Sequence, residues 1–143
     1  MHQQIVLDAN ILVRAVLGVR VADLLKRYAE RVSFFAPQIA FDDASRHLPA
    51  IAAKRGVDST LLLDSLAHLH TVVEAISPNL TDLWKEEAVA RIGTRDMMDW
   101  PIVAAALALD CPIWTEDRDF FGTGVAVWTT ERIEIFLSRA DSH

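Results

Sequence analysis

The sequence predicts an α/β fold in which helices cover both faces of a mainly parallel sheet of about five strands. Short apolar segments alternate with longer helical segments along the chain, which is the order of successive βαβ units. Hydrophobic residues make up 52% of the chain, a surplus that favours central elements covered on both faces. The length of 143 residues predicts a single domain over 1–143.

Five segments have the apolar or β-branched composition of short strands and are followed by turn residues. We expect strands at residues 4–7, 32–36, 71–76, 112–115 and 125–128. The first strand ends at Asp8 and the fourth ends in the acidic cluster Glu116, Asp117 and Asp119. The remaining segments therefore have to supply the crossover helices.

Apolar spacing, caps and glycines predict those helices. We expect them at residues 11–16, 20–30, 38–54, 60–69, 81–92, 100–109 and 130–139. Pro49 is expected to kink or split the helix at 38–54, and Asp58 or Ser59 is expected to cap the next one. Pro101 is compatible only with a first helical turn, so the helix at 100–109 should begin near Asp99.

Charge and composition exclude several classes of protein. A net charge of −6 argues against a broad basic surface that grips nucleic acid by charge alone. A single cysteine, Cys111, rules out an internal disulfide and is expected to be an inert buried thiol in a reducing compartment. No signal-peptide pattern or apolar run of about 18 residues is present, so a soluble, cytoplasmic protein with no membrane partner is expected.

Acidic residues from distant segments form the candidate site. Asp8 and Asp117 follow predicted strands, at the sheet edge where ligands bind in open parallel sheets, and Asp99 begins a helix. Asp43 lies on another helix. Converging carboxylates repel one another unless cations lie between them, and oxygen ligands favour Mg²⁺ or Mn²⁺ over Zn²⁺. Such a site can activate water and hold a phosphodiester.

Four motifs of this chain resemble those of the PIN-domain nucleases, in the same order and over essentially the whole length. They are IVLDANIL (5–12), PQIAFDDASRHL (37–48), RDMMDWPIVAAAL (95–107) and IWTEDRDFFG (113–122). The chain departs from the family at the second acidic position, where the family usually has Glu and this chain offers Asp42 and Asp43. Asp43 keeps the better register with Leu48 and Pro49.

The resemblance implies a PIN-like three-layer αβα fold and a set of functional residues. Asp8, Asp43, Asp99 and Asp117 match the catalytic acids, and Asp8, Asp99 and Asp117 are expected to bind Mg²⁺ or Mn²⁺. Polar residues beside them, expected to support the site, are Asn10, Thr115 and Asp119.

The same resemblance implies a function and partners. It implies cleavage of RNA, and, because many relatives are VapC-type toxins, a neutralising antitoxin. It also implies a homodimer, for which Leu24 and Tyr28 are candidate interface residues.

Two other functions stay open at this stage. The chain could be a catalytically silent PIN-like module that binds cations or RNA, or a metal-dependent phosphatase of another α/β family. The phosphatase is disfavoured because Asn10 stands where a DxD pair needs its second Asp.

Other polar residues are expected to be structural. His47, His68 and His70 are interpreted as surface or packing residues, and Asp96 as a solvated or capping residue. A solvated surface likewise explains five basic residues better than phosphate contacts do; these are Arg14, Lys26, Arg27, Arg95 and Arg118.

Overall fold

The structure is a computed structural model that describes residues 2–93 and 99–139. Its strands are β1 (Gln3–Leu7), β2 (Val32–Pro37), β3 (Val73–Ile76), β4 (Ile113–Trp114) and β5 (Val127–Trp128). Its first four helices are α1 (Ala9–Leu17), α2 (Arg20–Tyr28), α3 (Gln38–Arg55) and α4 (Ser59–His68). The later helices are α5 (Pro78–Asp82), α6 (Lys85–Ile92), α7 (Trp100–Leu109) and α8 (Ile133–Leu137).

The strands form one parallel sheet in the order β3-β2-β1-β4-β5. The chain therefore builds outward from β1 to β3, returns to the centre, and builds the other half through β4 and β5. The reversal lies between β1 and β4, where Leu7 pairs with Trp114. In such sheets the strand ends at the reversal form a crevice that binds ligands.

Helices cover both faces of the sheet, as the surplus of apolar residues predicts. Helices α1, α3 and α4 pack on one another, whereas α7 packs on α5, α6, β1 and β2. Right-handed crossovers that run in opposite directions along the sheet place these two groups on opposite faces. The central strand is buried on both sides, with Ile5, Val6 and Leu7 fully inaccessible. The predicted α/β fold, with helices on both faces of a mainly parallel sheet of about five strands, is therefore confirmed.

Several predicted boundaries are wrong. Residues 81–92 do not form one helix, because Ser77 caps a separate short helix that begins at Pro78, and α6 begins only at Lys85. A 3₁₀ turn over Leu69–Thr71 takes up the last residue of the helix predicted at 60–69 and the first of the strand predicted at 71–76, and β3 begins only at Val73. The fourth and fifth strands have two residues each, and α8 is shorter than the predicted helix at 130–139.

Two further predictions are corrected by packing. Pro49 does not split its helix: α3 continues through this exposed residue, while Leu48 and Ala52 on either side are buried and hold the helix on the core. Leu24 and Tyr28 cannot form a dimer interface, since both are buried within the chain and the Tyr28 hydroxyl donates a hydrogen bond to Glu134 (3.1 Å).

Within residues 2–93 and 99–139, no helix is both long and apolar enough to span a lipid bilayer.

Candidate functional site

Asp8 lies at the carboxyl end of β1 and is fixed there by two hydrogen bonds. One carboxylate oxygen accepts from the backbone N–H of Ile11 (3.0 Å), so the residue caps α1. The other oxygen accepts from the Thr115 hydroxyl. Only 5% of Asp8 is exposed, and this burial raises the pKa of its carboxyl to about 6, against the lowering effect of the two hydrogen bonds. Nearby Asp117 and Glu116 add a smaller upward contribution.

Thr115 connects the ends of β1 and β4. Its hydroxyl donates to Asp8 and accepts from the backbone N–H of Asp117 (2.9 Å). The parallel pairing of Leu7 with Trp114 places Asp8 and Thr115 at the same level of the sheet. The predicted supporting role of Thr115 therefore has a specific structural basis, which is to orient Asp8 and the loop that holds Asp117.

Two acids of the loop after β4, Glu116 and Asp117, accept hydrogen bonds from different parts of the chain. Glu116 accepts a hydrogen bond from the backbone N–H of Thr130 (2.6 Å). Asp117 instead accepts from the backbone N–H of Asp119 (2.9 Å) and caps a 3₁₀ turn over Arg118–Phe120. This turn brings the Asp119 side chain back beside Asp117.

Three carboxylates converge at the switch point. Asp99, Asp117 and Asp119 each offer an oxygen, and these oxygens lie within 4.8 Å of one another. Asp8 is not part of this cluster within the described ranges but lines the same cavity as Asp99 and Asp117, and its expected role as a metal ligand stays a prediction. An all-oxygen, anionic donor set of this size fits Mg²⁺ or Mn²⁺, the ions expected from the sequence.

Helix α3 contributes the wall beyond these carboxylates. Asp43 and His47, four residues apart and so on one face of the helix, both line the cavity. Asp43 also forms an ion pair with Arg46, whose side chain is 71% exposed. Asp42 is exposed and accepts a hydrogen bond from Gln38 (3.1 Å), so Asp43 is the acid of this pair that reaches the site.

The cavity of about 250 Å³ gathers all four predicted catalytic acids. Its lining is Asp8, Ala9, Asn10, Ile39, Ala40, Asp43, His47, Asp99, Ile102 and Asp117. Asn10, on the exposed side of α1, is thus placed as expected, whereas Arg95 and Asp96 lie outside the described residues. The catalytic and metal-binding roles predicted for the four acids stay predictions.

His47 is a lining residue that the sequence interpretation missed. The signal available was its spacing of four from Asp43 on a predicted helix. His70 was interpreted correctly as a packing residue, since its ring stacks on Phe41 with centroids 4.0 Å apart. Cys111 is a half-buried thiol whose pKa is raised to about 12 by burial and, second, by Asp110, which fits the expected inert thiol.

Comparison with known proteins agrees with this geometry. The sequence pattern described as the PIN domain matches residues 6–138. The chain therefore belongs to the PIN-domain family, the nuclease family that its motifs resemble. None of the curated proteins compared with the chain matches it.

Two solved structures share the fold at low sequence identity. The crystal structure of PAE2754 from Pyrobaculum aerophilum is 17% identical with a TM-score of 0.70, and the match covers 99% of this chain and 91% of that one. The crystal structure of VapBC2 from Rickettsia felis, bound to a DNA fragment from their promoter, is 13% identical with a TM-score of 0.69. That match covers 89% of this chain and 98% of the other.

Proposed function

We propose that this chain is a Mg²⁺- or Mn²⁺-dependent endoribonuclease that hydrolyses RNA phosphodiester bonds. The observation that supports this most directly is the convergence of Asp99, Asp117 and Asp119 within 4.8 Å at the switch point of the sheet. Membership of the PIN-domain family supports a nuclease, and the oxygen-only donors support a hard divalent cation.

Each group around the cavity has a distinct task in this proposal. Asp99 and Asp117 would hold the ion together with Asp119, which lies beside them, and with Asp8, which Thr115 keeps in place. When bound, the ion supplies positive charge against the phosphodiester and a water of lowered pKa. Asp43 and His47 face the cavity from α3 and orient the RNA and water that enter it.

Cleavage of single-stranded and structured RNA tests this proposal. Purified protein should cut RNA with Mn²⁺ or Mg²⁺ and should not cut it in EDTA. Asp99→Asn should abolish cleavage because an anionic ligand is lost. Asp42→Asn is the matched control, since it removes an acid from an exposed position on α3 outside the cavity lining.

The outcomes separate an enzyme from a binding module. Cleavage that survives both EDTA and Asp99→Asn would come from a contaminant or another site and would overturn the proposal. Complete inactivity with retained RNA or cation binding would instead support the catalytically silent regulatory module.

We further propose a cytoplasmic toxin neutralised by an antitoxin protein. The likeness of the motifs to VapC-type toxins and of the fold to the VapBC2 structure supports this partner. A neighbouring reading frame for a small DNA-binding protein, whose co-expression relieves growth arrest, is the expected result. Growth arrest that co-expression of the small DNA-binding protein does not relieve would argue against the toxin–antitoxin pairing.

A homodimer is also proposed, now through a different surface from the one expected. Leu83 and Trp84, between α5 and α6, are 79% and 38% exposed. Light scattering should give a dimer mass for the wild type and a lower mass for Leu83→Glu. A monomeric wild type at tens of micromolar would refute it.

A further inference from the structure

A second cavity, of about 340 Å³, is lined by arginines and apolar side chains. The arginines come from three places in the chain: the last turn of α1, the start of α2 and the end of α3. The lining is Arg14, Leu17, Gly18, Val19, Arg20, Val21, Arg55 and Thr130. This local concentration of positive charge contrasts with the net charge of −6 of the whole chain.

Helix α1 connects this cavity to the acidic one. Asn10 lines the acidic cavity and Arg14 lines the arginine cavity. The two residues are four apart and both exposed, so they share one face of α1 and lie about 6 Å apart along its axis. The two cavities are therefore neighbours along a continuous exposed helix face.

Two of the three guanidinium groups of this cavity form no ion pair within the described part of the chain. Among residues 2–93 and 99–139, Arg14 and Arg55 take part in no salt bridge, and both are exposed. Arg20 does pair with Glu134 (3.0 Å), but that carboxylate also binds Arg27 (3.0 Å). Two of the three arginines can thus bind an anionic ligand without breaking an internal contact.

We infer that the arginine-lined cavity binds phosphates of the RNA strand whose scissile bond lies in the acidic cavity, an inference that rests on the proposed function. A site built from carboxylates on a negatively charged chain repels a polyanion, so a strand held there needs a cationic anchor nearby. Guanidinium forks bind phosphate oxygens in pairs, which suits them to hold a phosphate backbone. Arg14, one helical turn from Asn10, binds the phosphate nearer the site, and Arg55 binds one farther along the strand.

Equilibrium binding measured apart from cleavage tests this assignment. The probe is a fluorescein-labelled unstructured RNA of about 16 nucleotides, followed by anisotropy in EDTA over a series of salt concentrations. Arg14→Gln and Arg55→Gln should each weaken binding about tenfold, the effect of one charge-assisted contact. Each should also reduce the slope of log K against log salt by about 0.7, the value for one phosphate on a single strand.

Matched variants isolate the contact from general charge and from folding. Lys26→Gln removes one exposed positive charge from α2 outside the cavity lining and should leave affinity and slope unchanged. Arg14→Lys keeps the charge and should retain the slope while losing part of the affinity. Arg55 is exposed at the end of α3, so its variant gives an answer even if Arg14→Gln lowers the melting temperature.

The results distinguish this inference from the proposed function. Arginine-dependent RNA binding by a protein that never cuts RNA would overturn the nuclease and leave the binding site standing. Wild-type affinity and slope in both arginine variants, or an equal loss in Lys26→Gln, would overturn the binding site whether or not RNA is cut. If those variants instead lose a co-purified protein partner, the cavity is a protein-docking surface and the RNA assignment is wrong.

Discussion

The buried Asp8 carboxyl makes the stability of the metal-free protein depend on pH. Its pKa is about 6 in the folded chain against an ordinary value of 3.8, so between these values the folded state binds the proton more tightly than the unfolded state. Protonation of Asp8 therefore stabilises the folded protein fully below about pH 4, and this stabilisation is lost as the pH rises through about 6. A pKa difference of about two units corresponds to about 3 kcal/mol of folding free energy. Urea unfolding in EDTA should show this loss in the wild type, and Asp8→Asn should lack it. Parallel pH profiles for the two proteins would contradict a buried, proton-binding Asp8.

His47 provides a second test at the residue scale. It lines the acidic cavity from α3 but is not one of the three clustered acids, Asp99, Asp117 and Asp119. His47→Ala should lower kcat/KM for RNA about tenfold by removing one hydrogen bond to the substrate. Stabilisation by Mn²⁺ should be unchanged. His68→Ala, at an exposed position on α4, is the control, and equal activity in both variants would show that His47 has no part in the reaction.

The individual acids of the site were predictable, but their local contacts were not. Asp8 and Asp99 follow from a strand end and a helix start, both of which composition and Pro101 indicate. The position of Asp119 beside Asp117 depends on a three-residue 3₁₀ turn. No periodicity can be measured over three residues, so the sequence could not predict how close Asp119 lies to Asp117.

At the scale of single elements, long helices with a buried face were predicted best. Helix α7 was predicted at its exact bounds because Pro101 marks its start and Asp110 ends it. The break between α5 and α6 was missed because Ser77 and Pro78 were interpreted only as the end of a strand, although a capping Ser before Pro is also a helix start. Two-residue strands such as β5 are set by pairing with a neighbour, in this case Trp128 with Trp114, which a local pattern does not contain.

The end of α7 offers a prediction about stability. Asp110 adopts a left-handed conformation with φ of 51° and ψ of 56°, in the position where glycine is usual. Asp110→Gly should stabilise the protein by about 1 kcal/mol, because the left-handed conformation strains a residue with a Cβ. Gly56 holds the equivalent position after α3 with φ of 67°, so Gly56→Ala should destabilise by a similar amount. Urea unfolding measures both, and a less stable Asp110→Gly would mean that its side chain contributes more than the strain costs.

At the scale of the whole molecule, the fold concentrates negative charge at one crevice of an already acidic chain. The strand order β3-β2-β1-β4-β5 brings the ends of β1 and β4 together with the start of α7. Alternation of strands and helices predicts a parallel sheet with Asp8 and Asp117 at its carboxyl edge but not which strands are neighbours, so the sequence could not predict how close the acids lie. The clustered carboxylates repel one another and so destabilise the folded, metal-free protein, and a bound metal ion reverses this effect.

Melting curves with and without Mn²⁺ measure the destabilisation that the repelling carboxylates cause. Carboxylates within 4.8 Å of each other repel by about 1 kcal/mol even when solvent screens them, so Asp99→Asn should melt higher than the wild type in EDTA. Asp99 is preferable to Asp117 because Asp117 caps the turn at Arg118–Phe120, which its substitution would disturb. Mn²⁺ at a hundredfold excess over Kd should stabilise the wild type by about 2.7 kcal/mol through mass action, and Asp99→Asn by much less.

Asp42→Asn, which alters an exposed acid that binds Gln38, should respond to Mn²⁺ as the wild type does. If Asp99→Asn melts lower in EDTA and gains as much from Mn²⁺ as the wild type, Asp99 is a structural residue. The three carboxylates are then not a metal site.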